Sequence, residues 1–207
     1  FNDHMFHDFY GSETQDKTFE IFAEVAAIFE STNFACNLQL VLVGQVTFEG
    51  SQPAEITPTF CDIATDSCSN TFATESEIDI SDYLTAFGNY AMVDQYSFYS
   101  TELDTSYDTA HIFSGYDFPG STIGLGNLGT LCKSNAATIN EITYSESLEM
   151  QAELFAHEVG HNHDMVHDVG IMTGSGITDG MYFSAFSISE TDNYFAFQDC
   201  SCFDNIP

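Results

Sequence analysis

The sequence predicts a mixed α/β domain, a twisted sheet flanked by helices. Two observations carry that prediction. Apolar residues recur at three and four over 17–31 and 80–96, the spacing of one helix face. Between and beyond them lie strand candidates at 38–48, which is β-rich and apolar, 108–113 and 137–143. A chain of 207 residues fits one domain, or two small lobes around a cleft. Hydrophobic residues make up 43 % of it and phenylalanine alone numbers 20, ample material for a core. No internal repeat or linker is visible, so residues 1–207 read as one unit. No run of about 18 apolar residues exists, so no membrane span is expected.

The elements follow in order. Residues 1–16 are polar and read as a solvated arm, with His4 and His7 as a weaker hint of a second metal site. The helix over 17–31 places Phe19, Phe22, Val25, Ala26 and Phe29 on one face. The run LQLVLVGQVTF at 38–48 reads as a buried strand. Residues 49–78 form a Ser/Thr/Asp-rich excursion with Pro53 and Pro58, and 80–96 return to helical spacing. Residues 120–126 are short, uncharged and broken by glycine, which reads as an unblunted sheet edge where an extended peptide could pair. A helix starts near Ser145 or Ser147, with Glu146, Glu149 and Glu153 in its first half, where the helix dipole favours acids. Residues 168–187 are Gly-rich and irregular. A last helix covers 189–197, with Glu190 and Asp192 in its first turn.

The helix that starts near Ser147 carries the most informative pattern, HExxH with a third histidine six residues on. His157 and His161 lie four apart, hence on one helix face, and can offer two nitrogens to one metal ion. Glu158 stands beside the first ligand, within reach of a metal-bound water. His167 can join only if the chain turns back after about residue 163. His163 points to nearly the opposite side of the helix and is rejected as a ligand. Three imidazoles with an open fourth position match catalytic zinc, since structural zinc sites are closed and cysteine-rich.

Charge is unusual: 32 acidic residues stand against two basic ones, a net charge of −30. Such a surface repels phosphate backbones, so nucleic acid and anionic membranes are excluded as partners. Two readings of the charge compete. Adaptation to a salty or marine habitat is favoured because the acids are spread along the chain; steering of cationic substrates is the other. The six cysteines (36, 61, 68, 132, 200 and 202) include no CxxC pair, which points to disulfides in an oxidising compartment and a secreted protein. Cys61 with Cys68 and Cys132 with Cys202 are the expected pairs, leaving Cys36 with Cys200, although six cysteines admit many other connectivities. The Phe-Asn-Asp-His start carries no signal-peptide pattern and is expected to be a trimmed mature end.

These residues resemble the metzincin metallopeptidases, and among them the adamalysin/reprolysin group. His157, Glu158, His161 and His167 align with HExxHxxGxxH, and Met172 with the methionine of the following turn. Asn162, Met165 and Asp168 extend the match, as do the blocks DTAHIFSG at 108–115, GSTIGL at 120–125 and GTLC at 129–132. The chain end at 202–207 is also similar. The resemblance implies a zincin-like fold in lobes of about 1–163 and 164–207, with a mostly parallel sheet, an antiparallel edge strand and a small C-terminal lobe holding the methionine turn. It implies a secreted zinc endopeptidase, a monomer acting on protein or peptide substrates through a zinc-bound water with Glu158 as general base. The substrate would lie antiparallel to Thr122, Ile123, Gly124 and Leu125, and the side chain just past the scissile bond would enter a pocket walled by residues around 173–183. Met172 would floor the site and Asp168 would anchor the turn or a backbone amide. Asp108, the Cys202 carbonyl and Asn205 match a calcium site of some members, which makes calcium a second candidate ion.

The chain departs from the pattern in four places. Asp164 stands where the family has a glycine of positive φ, a conformation that Asp tolerates at some cost. Only four residues separate His167 from Met172, and Gly170 or Ile171 replaces the cysteine common before the methionine. The family's first strand is expected to be absent, and with it an acidic calcium ligand. Two other readings are a binding or adhesion module that keeps zinc without activity, which intact Glu158 disfavours, and a non-proteolytic zinc hydrolase, which the edge-strand block disfavours.

Overall fold

A buried carboxylate opens the first helix. The structure, a computed structural model, describes residues 1–57, 60–62, 67–69, 76–93, 107–118, 120–143, 145–174 and 180–198. Asp3 caps α1 (His4–Tyr10), its carboxylate accepting from the Phe6 amide at 2.8 Å and from the Gly115 amide at 3.1 Å. Phe6 is fully buried. The expected solvated arm is therefore incorrect, because its aromatic residues and cap supply core contacts that its polar neighbours conceal. Asn2 makes isolated bridges to Thr47 and Phe113, both in parallel sense, and among the described residues no strand precedes α1. Among the described residues His4 and His7 gather no metal cluster; His4 meets Gln52 and Tyr116, and His7 meets Thr14.

Helix α2 spans Thr14–Ser31. Its buried apolar side chains are Ile21, Val25, Ile28 and Phe29, whereas Phe19 is 61 % exposed. The expected face was rotated: packing against the next layer selects the stripe built on Ile21, and Phe19 falls off it. Residues 38–48 correct the sequence reading more sharply. They form no named strand, and Val41, Leu42 and Val43 are exposed. Only their end finds backbone partners, Asn2 donating to Val46 O and Phe48 donating to Asn2 O. An apolar run becomes a strand only where another strand satisfies its amides.

Within 49–78 a small antiparallel sheet forms, β1 (Phe60–Asp62) between β2 (Ser67–Ser69) and β3 (Ser76–Ile78). Its register sets the Cys61 backbone opposite that of Cys68. Helix α3 (Ile80–Gly88) starts at Asp79, whose side chain accepts from the amides of Ser81 and Asp82, and widens into a π-turn over Asn89–Val93. The expected end of this helix at 94–96 lies outside the described residues.

The main sheet holds β4 (Ala110–Ser114), β6 (Ala137–Glu141) and β5 (Gly124–Gly126), in that order. β4 pairs with β6 in parallel, and β5 pairs with β6 antiparallel at the edge. Both faces are covered. Ala110, Ile112, Ala137 and Ile139 join a core with α3, while Phe113 meets Phe155 of α4 (Leu148–Asn162) edge to face at 4.9 Å. Ser147 caps α4 by accepting from the Met150 amide, as one of the two expected starts requires. Helix α5 runs over Ala185–Gln198, four residues earlier than its acidic turn suggested, because Ser184 caps it by accepting from Phe186 and Ser187. Cys36 and Cys132 are disulfide-bonded. Their expected partners, Cys200 and Cys202, lie outside the described residues, as does Asn205 of the calcium reading.

Candidate metal centre and adjoining cleft

Helix α4 supplies half of the site by its own geometry. His157 and His161 stand one turn apart with ring centroids 4.7 Å from each other. Their Nδ1 atoms lie 2.7 Å from Ile171 O and 2.8 Å from Met165 O. A carbonyl only accepts, so each Nδ1 carries the proton and each Nε2 keeps a lone pair. Burial, partly opposed by those hydrogen bonds, holds both imidazoles below the ordinary histidine range, His157 at about 4. Neutral rings with a bare nitrogen are the state a metal requires.

A turn supplies the other half. Asp164 follows the helix at φ 71°, in the left-handed region. Its amide donates to His161 O at 3.0 Å and the Met165 amide to Gly160 O at 3.1 Å, so the last helical carbonyls are satisfied as in a glycine-terminated helix. The chain then reverses and brings the His167 ring to 5.2 Å from His157 and 5.1 Å from His161. One ligand atom from each of the three rings lies within 4.8 Å of the others, the metal-compatible cluster among the described residues. His163 stays apart. It is buried 5.2 Å from Phe29 and 6.0 Å from Phe195, and its Nδ1 donates to Val159 O.

Three contacts hold the two halves together. A Cβ on Gly160 would sit 2.6 Å from the Met172 sulfur, so fully buried Met172 lies directly against the helix between the two ligand rungs. The Asn162 side chain donates to Asn127 O and Thr130 Oγ1 and accepts from Thr109 Oγ1, tying the helix end to the sheet. The Asp168 carboxylate accepts from the Ser184 hydroxyl, so among the described residues its partner is that helix cap rather than a backbone amide.

Glu158 is buried between α4 and β5. A Cβ on Gly124 would come within 2.4 Å of its Oε1, so a larger residue there would force the Glu158 carboxylate to move. Among the described residues its Oε2 has no hydrogen-bond partner, and burial pushes the carboxyl up to about 8. A carboxylate oxygen unpaired among the described residues, beside the three imidazoles, fits a divalent cation and a water.

The cleft at this centre measures ≈ 550 Å³. Thr122, Ile123, Gly124 and Leu125 form one wall, although only the last two belong to β5; Ile123 O accepts from the Glu141 amide. Thr173 and Gly174 close the turn side; of the rest of the expected pocket wall, 175–179 lie outside the described residues and 180–183 do not line the cleft. Leu128 and Val166 form an apolar rim that the sequence reading missed, for they belong to no periodic pattern. Glu153 was read as a helix-dipole acid, yet it is 5 % exposed and lines the cleft. Its spacing of four from His157 could have revealed it.

Comparisons with known proteins agree with this geometry. Residues 2–194 match the reprolysin profile described as metallo-peptidase family M12. A "Zinc metalloproteinase-disintegrin-like atragin" of Naja atra is 41 % identical over 68 residues, 32 % of this chain and 11 % of that protein. A "Snake venom metalloproteinase atroxlysin-1" of Bothrops atrox is 36 % identical over 104 residues, 49 % of this chain and 50 % of that protein. The matches thus span between about a tenth and a half of these relatives' lengths. A solved structure described as "Structure of a chaperone-substrate complex" superposes with a TM-score of 0.57 over 93 % of this chain and 32 % of that one. At 14 % identity that likeness concerns the fold alone.

Proposed function

The chain belongs to metallo-peptidase family M12, and from that membership we propose that it is a secreted zinc endopeptidase acting on protein or peptide substrates. One observation carries the proposal: the three-imidazole cluster stands beside the Glu158 carboxylate, one oxygen of which is unpaired among the described residues, under a sheet edge that lines the same cleft. His157, His161 and His167 would hold zinc through ring nitrogens. Zinc bound there supplies Lewis acidity that lowers the pKa of water and polarises a carbonyl. Glu158 accepts the proton of the attacking water and returns it to the leaving amine. The backbone of residues 122–125 pairs with an extended substrate and holds the scissile bond over the histidines. Met172 keeps the two helical imidazoles on an apolar floor, and the division into lobes of about 1–163 and 164–207 puts the substrate between them.

Disulfide-bonded Cys36 and Cys132 support secretion. Among the described residues no helix is long and apolar enough to cross a membrane. A monomer suffices for this chemistry, since all of the proposed site residues come from one chain. Calcium at Asp108, with Cys202 and Asn205, is a second ion that the resemblance allows.

The test is Glu158→Ala, with zinc content and peptide cleavage measured together. The expected result is full zinc content with cleavage reduced by at least about 100-fold, the lower range for loss of a general base. Undiminished cleavage by the variant would remove Glu158 from the mechanism. A parent that cleaves no peptide in a chelator-sensitive way would leave the binding-module reading.

A further inference from the structure

Exposed apolar side chains are ordinary on a protein surface, so exposure alone assigns nothing. Leu128 and Val166 differ in where they stand. They are 50 % and 38 % exposed, and both line the cleft that holds the three imidazoles. They come from different segments, Leu128 from the chain just past β5 and Val166 from the reversal just before His167. We propose that Leu128 and Val166 form a subsite for a large apolar side chain, leucine or phenylalanine, two or three residues before the scissile bond of the substrate. This deepens the peptidase reading above and rests on it.

The strand sets the direction. A Cβ on Gly124 would meet the Glu158 carboxylate, and one on Gly126 would sit 3.1 Å from His161 Cβ, so β5 runs along α4 from Glu158 toward His161. In the peptidase reading the substrate lies antiparallel to this edge, which places its earlier residues at the Gly126 end. Leu128 lies beyond that end. Its distance from Gly124 along the edge is below about 13 Å, because residues 128–129 already turn. Two or three extended substrate residues cover that span, so the side chain that meets the pair precedes the scissile bond.

The pair is also held in place. Asn127 O accepts from the Asn162 side chain at 2.8 Å, and the Gly129 amide donates to His161 O at 2.8 Å, so the backbone on each side of Leu128 is tied to the end of α4. The Val166 amide donates to a Glu190 carboxylate oxygen at 2.9 Å, and neighbouring Met165 is fully buried. Two aliphatic side chains on anchored backbone lose little freedom when a guest covers them. A leucine or phenylalanine laid across them removes apolar surface of all three residues from water. A charged guest finds no partner in either side chain and gives up hydration. The net charge of −30 acts on the approach of any basic peptide but singles out no position within it.

The experiment uses the zinc-loaded chain and matched peptides with one cleavage site, varied at the second and third residues before it to leucine, phenylalanine, serine or lysine. The leucine and phenylalanine peptides should exceed the serine peptide in kcat/KM by about 10-fold, the low end for an apolar pocket because the guest is covered from one side. Leu128→Asn and Val166→Thr keep the approximate size and remove apolar surface. Each should lower that ratio about 3-fold, and together they should bring it within about 2-fold of unity. Leu128→Glu should instead raise the lysine peptide above the leucine peptide. Binding of labelled fragments that end at the scissile carboxylate reads the same subsite without turnover: leucine should bind tighter than serine, and the double variant should lose the difference. Zinc content and thermal melting of every variant check that the reversal still delivers His167; if Val166→Thr loses zinc, Leu128→Asn decides alone. Chelator-sensitive cleavage with no preference for leucine or phenylalanine over serine at either position overturns the inference and leaves the peptidase reading intact. A preference that survives the substitutions also overturns it. Leucine-selective binding that the substitutions abolish, without any chelator-sensitive cleavage, supports the subsite and overturns the peptidase reading. Absence of both cleavage and selective binding overturns the two together.

Discussion

His163 and His167 stand four residues apart and have opposite fates. His163 still belongs to the end of helix α4, so it is carried to the core side, where burial holds it neutral with a pKa of about 4. His167 follows the left-handed residue Asp164 and is delivered, solvent-exposed, to the other two imidazoles. One half of the site is therefore local, a consequence of helical periodicity. The other half is assembled by a reversal that depends on distant partners. The Gly129, Thr130 and Leu131 amides donate to the carbonyls of His161 and Asn162, and a Cβ on Gly129 would strike the Asp164 carboxylate at 2.4 Å. Residue type does not decide which histidine joins the cluster; the backbone conformation of the residue between them does.

The largest effect should separate those two histidines. His167→Ala should weaken zinc binding by more than the roughly 10- to 100-fold typical of changes outside the ligand set. His163→Ala should leave zinc affinity nearly unchanged and lower stability by about 2–4 kcal/mol, through an emptied site against Phe29 and Phe195. Chelator competition and thermal melting on both variants read the contrast, and equal zinc affinities would break it. A second effect tests the helix half alone. Gly124→Ala forces a methyl group onto Glu158 and should cut cleavage about 100-fold, the cost of a displacement near 1 Å, with zinc content kept. Zinc loss there instead would mean that β5 supports the ligands rather than the base.

Smaller effects sharpen the turn half. Asp164→Val places a β-branched residue at φ 71° and should destabilise by about 1–3 kcal/mol in denaturant titrations. Asp164→Gly should shift stability by no more than about 0.5–1 kcal/mol, because relief of the left-handed strain is offset by added freedom in the unfolded chain. The sheet behind the helix half carries a pH response instead. Glu141, whose carboxylate accepts from the Phe118 amide, is pushed up to about 7, chiefly by burial. A folded-state pKa above the unfolded value means a contribution that is full below about 4.5 and lost as pH rises through about 7. Glu141→Gln should therefore flatten the stability profile between these limits and make the protein about 1 kcal/mol more stable than the parent at pH 8, allowing for solvent screening. Melting curves of both proteins across that pH range check the sign.

Some errors in reading the sequence share one cause. Residues 38–48 are apolar and β-rich, whereas 137–141 (ATINE) are mixed. Yet β6 is buried between two strands, while Val41, Leu42 and Val43 face solvent. Nothing within a strand's own composition states whether neighbours will satisfy its amides. Phe19 misled for a related reason: helical spacing identifies candidate faces, and the packing partner selects among them. Glu153 was hidden because an acid near a helix start already has an ordinary explanation in the dipole.

What the sequence determined by itself is the part governed by short-range geometry. Helix α4 with its Ser147 cap, the common face of His157 and His161, and the position of Glu158 beside them all follow from a period of 3.6 residues. Tertiary structure alone decided the rest. It set the close crossing of Gly124 over Glu158, the seat of Met172 under Gly160, the Ser184 hydroxyl on Asp168 and the place of Glu153 in the cleft wall. These depend on which segments meet across the chain, and contact between residues far apart in sequence leaves no periodic trace in either partner.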